Sequence, residues 1–449
     1  MVDHIPSLPW EELASNFTYI RANPAAKGIT DLFPQALPTL PEDLNSFILT
    51  LTQKLKHDSS LERSKYAETY DAPDEEEVLI DDETVREITP FFRRLHKYHP
   101  QHRLSDNRWP NGIADDNPGC RHPAEVRCRC LIPYEERKVK ALTRTHEYNT
   151  CFEFWMVNGM GFRGWEIVRT LLVHGKMEPL LRLCKCPFVD SIGQFPSWWD
   201  VGSCVCEGPD GAMSLLYEKT AMSFICLQLL RHHPQIQQRD NPEVDYRLTR
   251  MYQHTVRHVT KDEGISDLPN IAHRDFYGIG DQQFFTTDPQ PRDKERWVHL
   301  NTERFQFEPH YPEGLITFDE LLNFEVEAAY RPHGSDVAFV QNLLYARRLP
   351  TELVDEVLDL AEYQPGRRLK VAHDPLHPGN SEELDKYLEE CWAVMVRCEV
   401  FAAEFDEEIS WIAVFARAFR ELLPSLRLHT KPGMVRSDDG WVEDVAIFV

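Results

Sequence analysis

The stretch that decides the predicted fold is CFEFWMVNGMGFRGWEIVRTLLVHG, residues 151–175. Its first part, residues 151–157, is a short apolar run with the length and composition of a β-strand. The glycine-rich segment 158–164 follows, and the apolar residues of 165–175 then recur at helical spacing. These patterns predict a strand, a glycine loop and a helix in succession, which is a Rossmann-like unit.

The glycines of the loop, Gly159, Gly161 and Gly164, have the spacing Gly-x-Gly-x-x-Gly. In a dinucleotide fingerprint such glycines let the backbone reach a phosphate at the start of a helix. Arg182 follows about twenty residues later, where a basic side chain suits the 2′-phosphate of NADP. The stretch resembles the opening unit of short-chain dehydrogenases, which implies an NADP-dependent oxidoreductase. A tight strand–helix turn without a nucleotide explains the same glycines.

Outside this unit the sequence predicts helices. Apolar residues recur at helical spacing after Pro41, and further long helices are expected over 213–230, 244–259, 349–363 and 382–405. The predicted fold class is therefore predominantly α with a central α/β unit.

Composition changes along the chain predict three parts. Residues 1–90 are a proline-rich helical segment followed by an acidic linker, 91–300 form a central α/β domain with a basic loop region, and 301–449 form a helical region. The boundary near 300 is the least clearly marked in the sequence.

Charge and hydropathy exclude several classes of protein. The chain has 73 acidic and 49 basic residues, a formal charge of −24, which argues against a general DNA-binding face. No apolar run approaches the length of a membrane helix, and the first residues lack the features of a signal peptide. Eleven cysteines, an odd number, suit a reducing compartment. We therefore predict a cytoplasmic protein that does not bind membranes.

One segment reverses the overall charge. Residues 91–144 contain twelve basic and six acidic residues, and Arg93, Arg94 and Lys97 lie among aromatic side chains. Clustered cations and aromatics suit phosphates and unstacked bases, so the segment is compatible with the binding of a folded RNA such as tRNA. Ion pairs with the acidic stretch 71–87 are the alternative explanation.

Closely spaced cysteines raise the question of a structural zinc site. Cys184 and Cys186 form one pair, Cys204 and Cys206 a second. Neither pair has the Cys-x-x-Cys spacing of a zinc knuckle, and cysteine is often buried without a metal. We therefore predict no metal and no cofactor, with zinc and NADP as the alternatives.

The C-terminal block 349–411, from LPTELVDEVLDLAEY to FDEEISW, looks like a large group of fungal proteins. Through that group it resembles the arginine-containing cyclodipeptide synthases. The resemblance implies a transferase of fungal secondary metabolism that joins amino acids from arginyl-tRNA and a second aminoacyl-tRNA into a cyclic dipeptide.

That family's signature is Asp-Asp-x-x-Glu, and this chain has no exact copy of it. The nearest matches are Asp81 and Asp82 with Glu87, and a similar group at 438–443. The resemblance implies that Asp81, Asp82 and Glu87 are the catalytic residues.

The start of the same block, LPTELVDEVL, resembles the first helix of an F-box. This second resemblance implies a non-enzymatic interaction protein. Its adaptor helix would present four apolar side chains to a partner: Leu349, Leu353, Val357 and Leu358. Burial of all four in the protein's own core would exclude this alternative.

Overall fold

The structure is a computed structural model. It describes residues 8–21, 30–35, 40–89, 132–143, 154–187, 211–238, 243–260, 268–278, 332, 334–361, 363, 369–423, 433–437 and 440–444. Within these ranges the chain is mostly helical, which confirms the predicted predominance of helix. The strands there form two separate two-stranded antiparallel sheets.

The helices are α1 (Trp10–Ser15), α2 (Leu40–Arg63), α3 (82–89), α4 (Val139–Leu142), α5 (Phe154–Val173), α6 (Met177–Leu183), α7 (Gly211–His232), α8 (Pro234–Gln237), α9 (Arg250–Thr260), α10 (Leu268–Tyr277), α11 (Gly334–Ala346), α12 (Thr351–Leu360), α13 (Ser381–Ala403) and α14 (Trp411–Leu422). Short 3₁₀ helices cover Tyr134–Arg137, Tyr246–Leu248 and Pro378–Asn380. Strands β1 (Phe17–Ile20) and β2 (Asp31–Pro34) pair with each other, as do β3 (Gly433–Ser437) and β4 (Gly440–Asp444).

Helix α7 is the centre of the fold. Its residues 219–230 are all buried, and it contacts α1, α9, α10, α13 and α14. A helix that is buried on every side needs neighbours on every side, so α7 organises the bundle around itself.

The long helices α2 and α13 pack against each other beside α7. Trp392 of α13 is fully buried, and its indole packs on Phe224 of α7 with ring centroids 5.5 Å apart. The indole N–H donates to Asp58 of α2 over 3.0 Å. This bond satisfies a polar atom that the packing removes from water.

The predicted strand and glycine loop are wrong for the described residues of that stretch. Residues 154–164 belong to the continuous helix α5, so Gly159, Gly161 and Gly164 do not form a turn between a strand and a helix. A Cβ at Gly164 would lie 2.9 Å from the backbone oxygen of Ala141 in α4. Gly164 thus permits close helix packing, which has the same sequence signal as a phosphate loop.

One contiguous hydrophobic cluster extends from Trp10 to Leu423 and draws residues from each of the three predicted parts of the chain. Helices α11 and α12 contribute no residue to it, although Val354 and Leu358 of α12 are buried. These two helices pack on each other as a hairpin beside the bundle. The division of the chain into three domains stays a prediction.

Candidate functional site

The helical hairpin α11–α12 has an unusual distribution of apolar residues. Phe339 and Leu343 lie one turn apart on α11 and are 63% and 50% exposed. Leu353 and Val357 are likewise one turn apart on α12, at 46% and 42% exposure. We call these four side chains the hairpin surface.

Helix α11 is the more exposed half of the hairpin. Across residues 335–346 no side chain is buried, although this segment includes Val337, Phe339, Leu343 and Tyr345. A helix in water derives most of its stability from an apolar face packed against something else. An exposed apolar face of this kind is typical of a docking site.

Acidic residues border the hairpin surface. Glu352, Asp355 and Glu356 are exposed on α12, next to Leu353 and Val357. Their charges would repel an acidic partner and attract a basic one.

The turn between the two helices is tightly defined. Arg348 has φ +64°, and its backbone N–H donates to the oxygen of Tyr345 over 2.8 Å. The oxygen of Pro350 accepts from the N–H groups of Leu353 and Val354 at the start of α12. A non-glycine residue in left-handed conformation is strained, so the turn holds the helices at some cost in free energy.

A second candidate site lies inside the bundle. Ser223 of α7 lies 2.8 Å from the hydroxyl of Tyr277 and 2.7 Å from that of Tyr387. The Tyr387 hydroxyl is also 2.5 Å from Nδ1 of His273. Lys219, one turn before Ser223, is fully buried as well. We call these five residues the buried polar centre.

His273 is the titratable end of this centre. Burial, with further contributions from Lys219 and His258, lowers the pKa of His273 to about 3, so its imidazole is neutral. The hydroxyl groups of Tyr277, Ser223 and Tyr387 lie within hydrogen-bond distance of one another in succession, and Tyr387 is in turn within this distance of Nδ1. One chain of polar groups therefore connects Ser223 to His273 through Tyr387.

In the structure, each of the three predicted catalytic acids makes a different stabilising contact. Asp81 accepts from the N–H of Thr84 over 2.7 Å and caps α3, and this bond lowers the Asp81 pKa. Asp82 pairs with buried Arg137 at 2.5 Å, and Glu87 pairs with Lys176. Each carboxylate already has a partner, and their catalytic role stays a prediction.

Only the end of the basic segment falls within the described residues. There Lys138 lies 2.8 Å from Glu76, Lys140 also pairs with Glu76, and these contacts lower the Glu76 pKa to about 2. At this end the ion-pair alternative holds. Arg93, Arg94 and Lys97 lie outside the described residues.

The described cysteines and Arg182 have other roles than those considered from sequence. Arg182 pairs with Glu77, and the three glycines lie within helix α5. Neither therefore has the position that the alternative of an NADP site requires. Cys186 is buried, and burial raises the pKa of Cys184. Within the described ranges no group of three or more metal-ligating side chains occurs. Cys204 and Cys206 lie outside them.

Sequence reasoning missed both candidate sites in part. The signal for the buried polar centre was Lys219 and Ser223 inside an otherwise apolar helix. For the hairpin, the pattern of α12 was noticed, whereas Phe339 and Leu343 of α11 were not. Of the four predicted adaptor residues, Leu353 and Val357 are exposed, Leu349 is half-buried and Leu358 is buried.

A family model described as gramillins biosynthetic cluster protein GRA5 matches residues 11–428. The chain belongs to this family. Membership in the GRA5 family supports a role in fungal secondary metabolism, in agreement with the predicted setting. No curated protein and no solved structure matches the chain. In the part of the chain that the structure describes, no helix has the length and hydropathy required to cross a membrane.

Proposed function

We propose that this protein is a partner-binding component of a fungal biosynthetic cluster and that its hairpin surface is the docking site. The observation that carries the proposal is α11, an apolar helix without a buried side chain. It accords with the sequence-based alternative of a non-enzymatic interaction protein, because Leu353 and Val357 face solvent as an adaptor helix requires.

The expected partner is an amphipathic helix with lysine or arginine beside its apolar stripe. Two pairs of exposed apolar side chains one turn apart suit contact with such a stripe, since an amphipathic helix binds through residues at this spacing. The acidic border of α12 and the formal charge of −24 both favour a basic partner.

The test uses proteins of known identity. Each protein encoded in the same gene cluster is purified and mixed with this chain, and binding is followed by calorimetry at two salt concentrations. We expect one of them to bind, with lower affinity at higher salt because exposed charges are screened.

Two variants connect the binding to the hairpin. Phe339→Asp with Leu343→Asp places charge on the docking face and should abolish binding. Leu61→Asp is the matched control, because Leu61 is an exposed apolar residue of α2 outside the hairpin. Binding that survives the double variant, or no binding to any cluster protein, would refute the proposal. Loss of self-association in the double variant would instead identify a second copy as the occupant.

A second candidate function is the acyl transfer implied by the resemblance to cyclodipeptide synthases. The buried polar centre favours it, because Ser223 lies within hydrogen-bond distance of Tyr387, whose hydroxyl in turn contacts neutral His273. Ser223 Oγ would attack the ester carbonyl of an aminoacyl-tRNA. The new Oγ–C bond forms as the ester bond to ribose breaks, and the ribose oxygen takes the serine proton through Tyr387.

The full reaction consumes two aminoacyl-tRNAs. Two ester bonds break, two amide bonds form, and both tRNAs leave with free hydroxyl groups. Expression in a heterologous host should then yield arginine-containing cyclic dipeptides, and Ser223→Ala should eliminate them. Extracts identical to the empty vector, with soluble protein present, would exclude this candidate while leaving the docking proposal intact.

A further inference from the structure

Helix α5 carries a buried ion pair with unused hydrogen-bonding capacity. Arg169 is 2% exposed, and its Nη2 contacts Oε1 of Glu166, one turn earlier. The Nε and Nη1 atoms of Arg169 and the Oε2 atom of Glu166 are buried without a hydrogen-bond partner. Two donor atoms and one acceptor atom of the same ion pair are therefore unpaired.

This combination differs from the other unsatisfied groups in the described chain. Trp10, Thr52, Gln228 and His233 each leave a single buried atom without a partner. The burial of a guanidinium with two unpaired nitrogen atoms costs far more free energy, since charged groups are the most costly to bury without partners. Burial also lowers the pKa of Arg169. The pair is thus the strongest candidate for a group that a ligand completes.

The free atoms specify the chemistry of the ligand. The two arginine nitrogens require an acceptor, and the glutamate oxygen requires a donor. A lone anion would leave Oε2 unpaired, and a lone cation would leave the arginine nitrogens unpaired. Either one would also add net charge to a pair that is neutral by itself.

We propose that Arg169 and Glu166 form a binding site for a free α-amino acid. The ligand's carboxylate accepts from Arg169, its ammonium group donates to Glu166 Oε2, and the occupied site is electrically neutral. The Glu166 side chain is 13% exposed, whereas that of Arg169 is 2% exposed, so a ligand would enter from the Glu166 side. This site is separate from the hairpin surface and from the buried polar centre.

The first experiment needs no substitution. The twenty proteinogenic amino acids are tested singly against the wild-type protein by thermal denaturation at millimolar concentration. We expect at least one to raise Tm by about 2 °C or more, since a ligand of the folded state stabilises it. The N-acetyl and carboxamide derivatives of that amino acid lack one of the two charges and should have no effect.

The second experiment uses the double variant Glu166→Gln, Arg169→Met, which removes both charges. It should fold with a Tm equal to or above that of the ligand-free wild type, because it removes buried unpaired atoms. It should also lose the response to the amino acid. The matched control is Glu77→Gln, Arg182→Met, which removes an ion pair that is one-third exposed and should keep the response.

Three results would overturn the proposal. They are the absence of any response in the wild type, an equal response to the N-acetyl or carboxamide derivative, and a response that persists in the Glu166→Gln, Arg169→Met variant. The first two do not depend on how that variant folds. None of them bears on partner binding, so the failure of this site and that of the docking proposal are distinguishable.

Discussion

Helices α7 and α11 are similar in sequence and opposite in surroundings. Both are apolar helices without one dominant polar face, and α11 is the more apolar of the two. Yet residues 219–230 of α7 are all buried, whereas α11 has no buried side chain across residues 335–346. The comparison teaches that apolar content alone does not place a helix in the core. What decides is whether other elements of the chain cover it.

The largest expected difference between the two regions is in core packing. Trp392→Ala removes a fully buried indole and one of the hydrogen bonds to Asp58, so it should lower the free energy of unfolding by about 5 kcal/mol. Phe339→Ala in α11 should cost less than about 0.5 kcal/mol. Urea denaturation of both variants measures the contrast. Equal losses would mean that the hairpin is part of the core.

The pH dependence of stability should also come from the bundle. Burial raises the pKa of Asp31 to about 7, and its Oδ1 accepts from the N–H of Met251 over 3.2 Å. The folded state therefore holds a proton that the unfolded state releases near pH 4. The stability that this group adds is complete below pH 4 and is lost as pH rises towards 7, by up to about 4 kcal/mol.

Asp31→Asn keeps the oxygen acceptor and removes the titration, so this part of the pH dependence should disappear. Glu352→Gln is the control, because that side chain is exposed on the hairpin. Denaturation curves between pH 4 and 8 give the comparison. An unchanged slope in the Asp31→Asn variant would show that Asp31 is ionised in the folded protein.

Removal of one hydroxyl from the buried polar centre should have a smaller effect. Tyr387→Phe removes a hydrogen-bond partner from both His273 and Ser223, at a cost of about 2 kcal/mol. Tyr345→Phe on the exposed hairpin should change the free energy of unfolding by less than about 0.5 kcal/mol. Chemical denaturation resolves the two values. A neutral Tyr387→Phe variant would mean that water replaces the hydroxyl.

The smallest expected effect concerns the hairpin turn. Arg348→Gly relieves a left-handed residue and should stabilise the hairpin by roughly 0.5 kcal/mol after the entropy cost of glycine. Hydrogen exchange of the α11 and α12 amides should then slow about twofold. Faster exchange would indicate that the Arg348 side chain stabilises the hairpin by its own contacts.

Local patterns were informative where a long helix packs on its neighbours. The spacing of Leu44, Ile48, Leu51 and Leu55 predicted a helix after Pro41, and all four side chains are buried in α2. Such signals work because helix formation and the burial of one face both repeat every three to four residues.

The sequence features from which the sites were predicted have more than one physical explanation. Glycines at 159–164 suit a phosphate loop and also close helix packing. The close approach of Gly164 to α4 shows that packing is the explanation for this glycine. Residues of the buried polar centre come from α7, α10 and α13, as much as 168 positions apart along the chain, from Lys219 to Tyr387. No spacing rule joins residues at that distance.

By itself, the sequence determined that the protein is mostly helical, that residues 213–230 form a strongly apolar helix and that Leu353 and Val357 share a helical face. Only the tertiary structure decided that α7 is covered, that no side chain across residues 335–346 of α11 is buried, and that buried Arg169 and half-buried Glu166 have unpaired atoms. The physical reason is the distance along the chain over which each property is set. Helical periodicity is a property of neighbouring residues, whereas burial and hydrogen-bond partners depend on which distant segments meet.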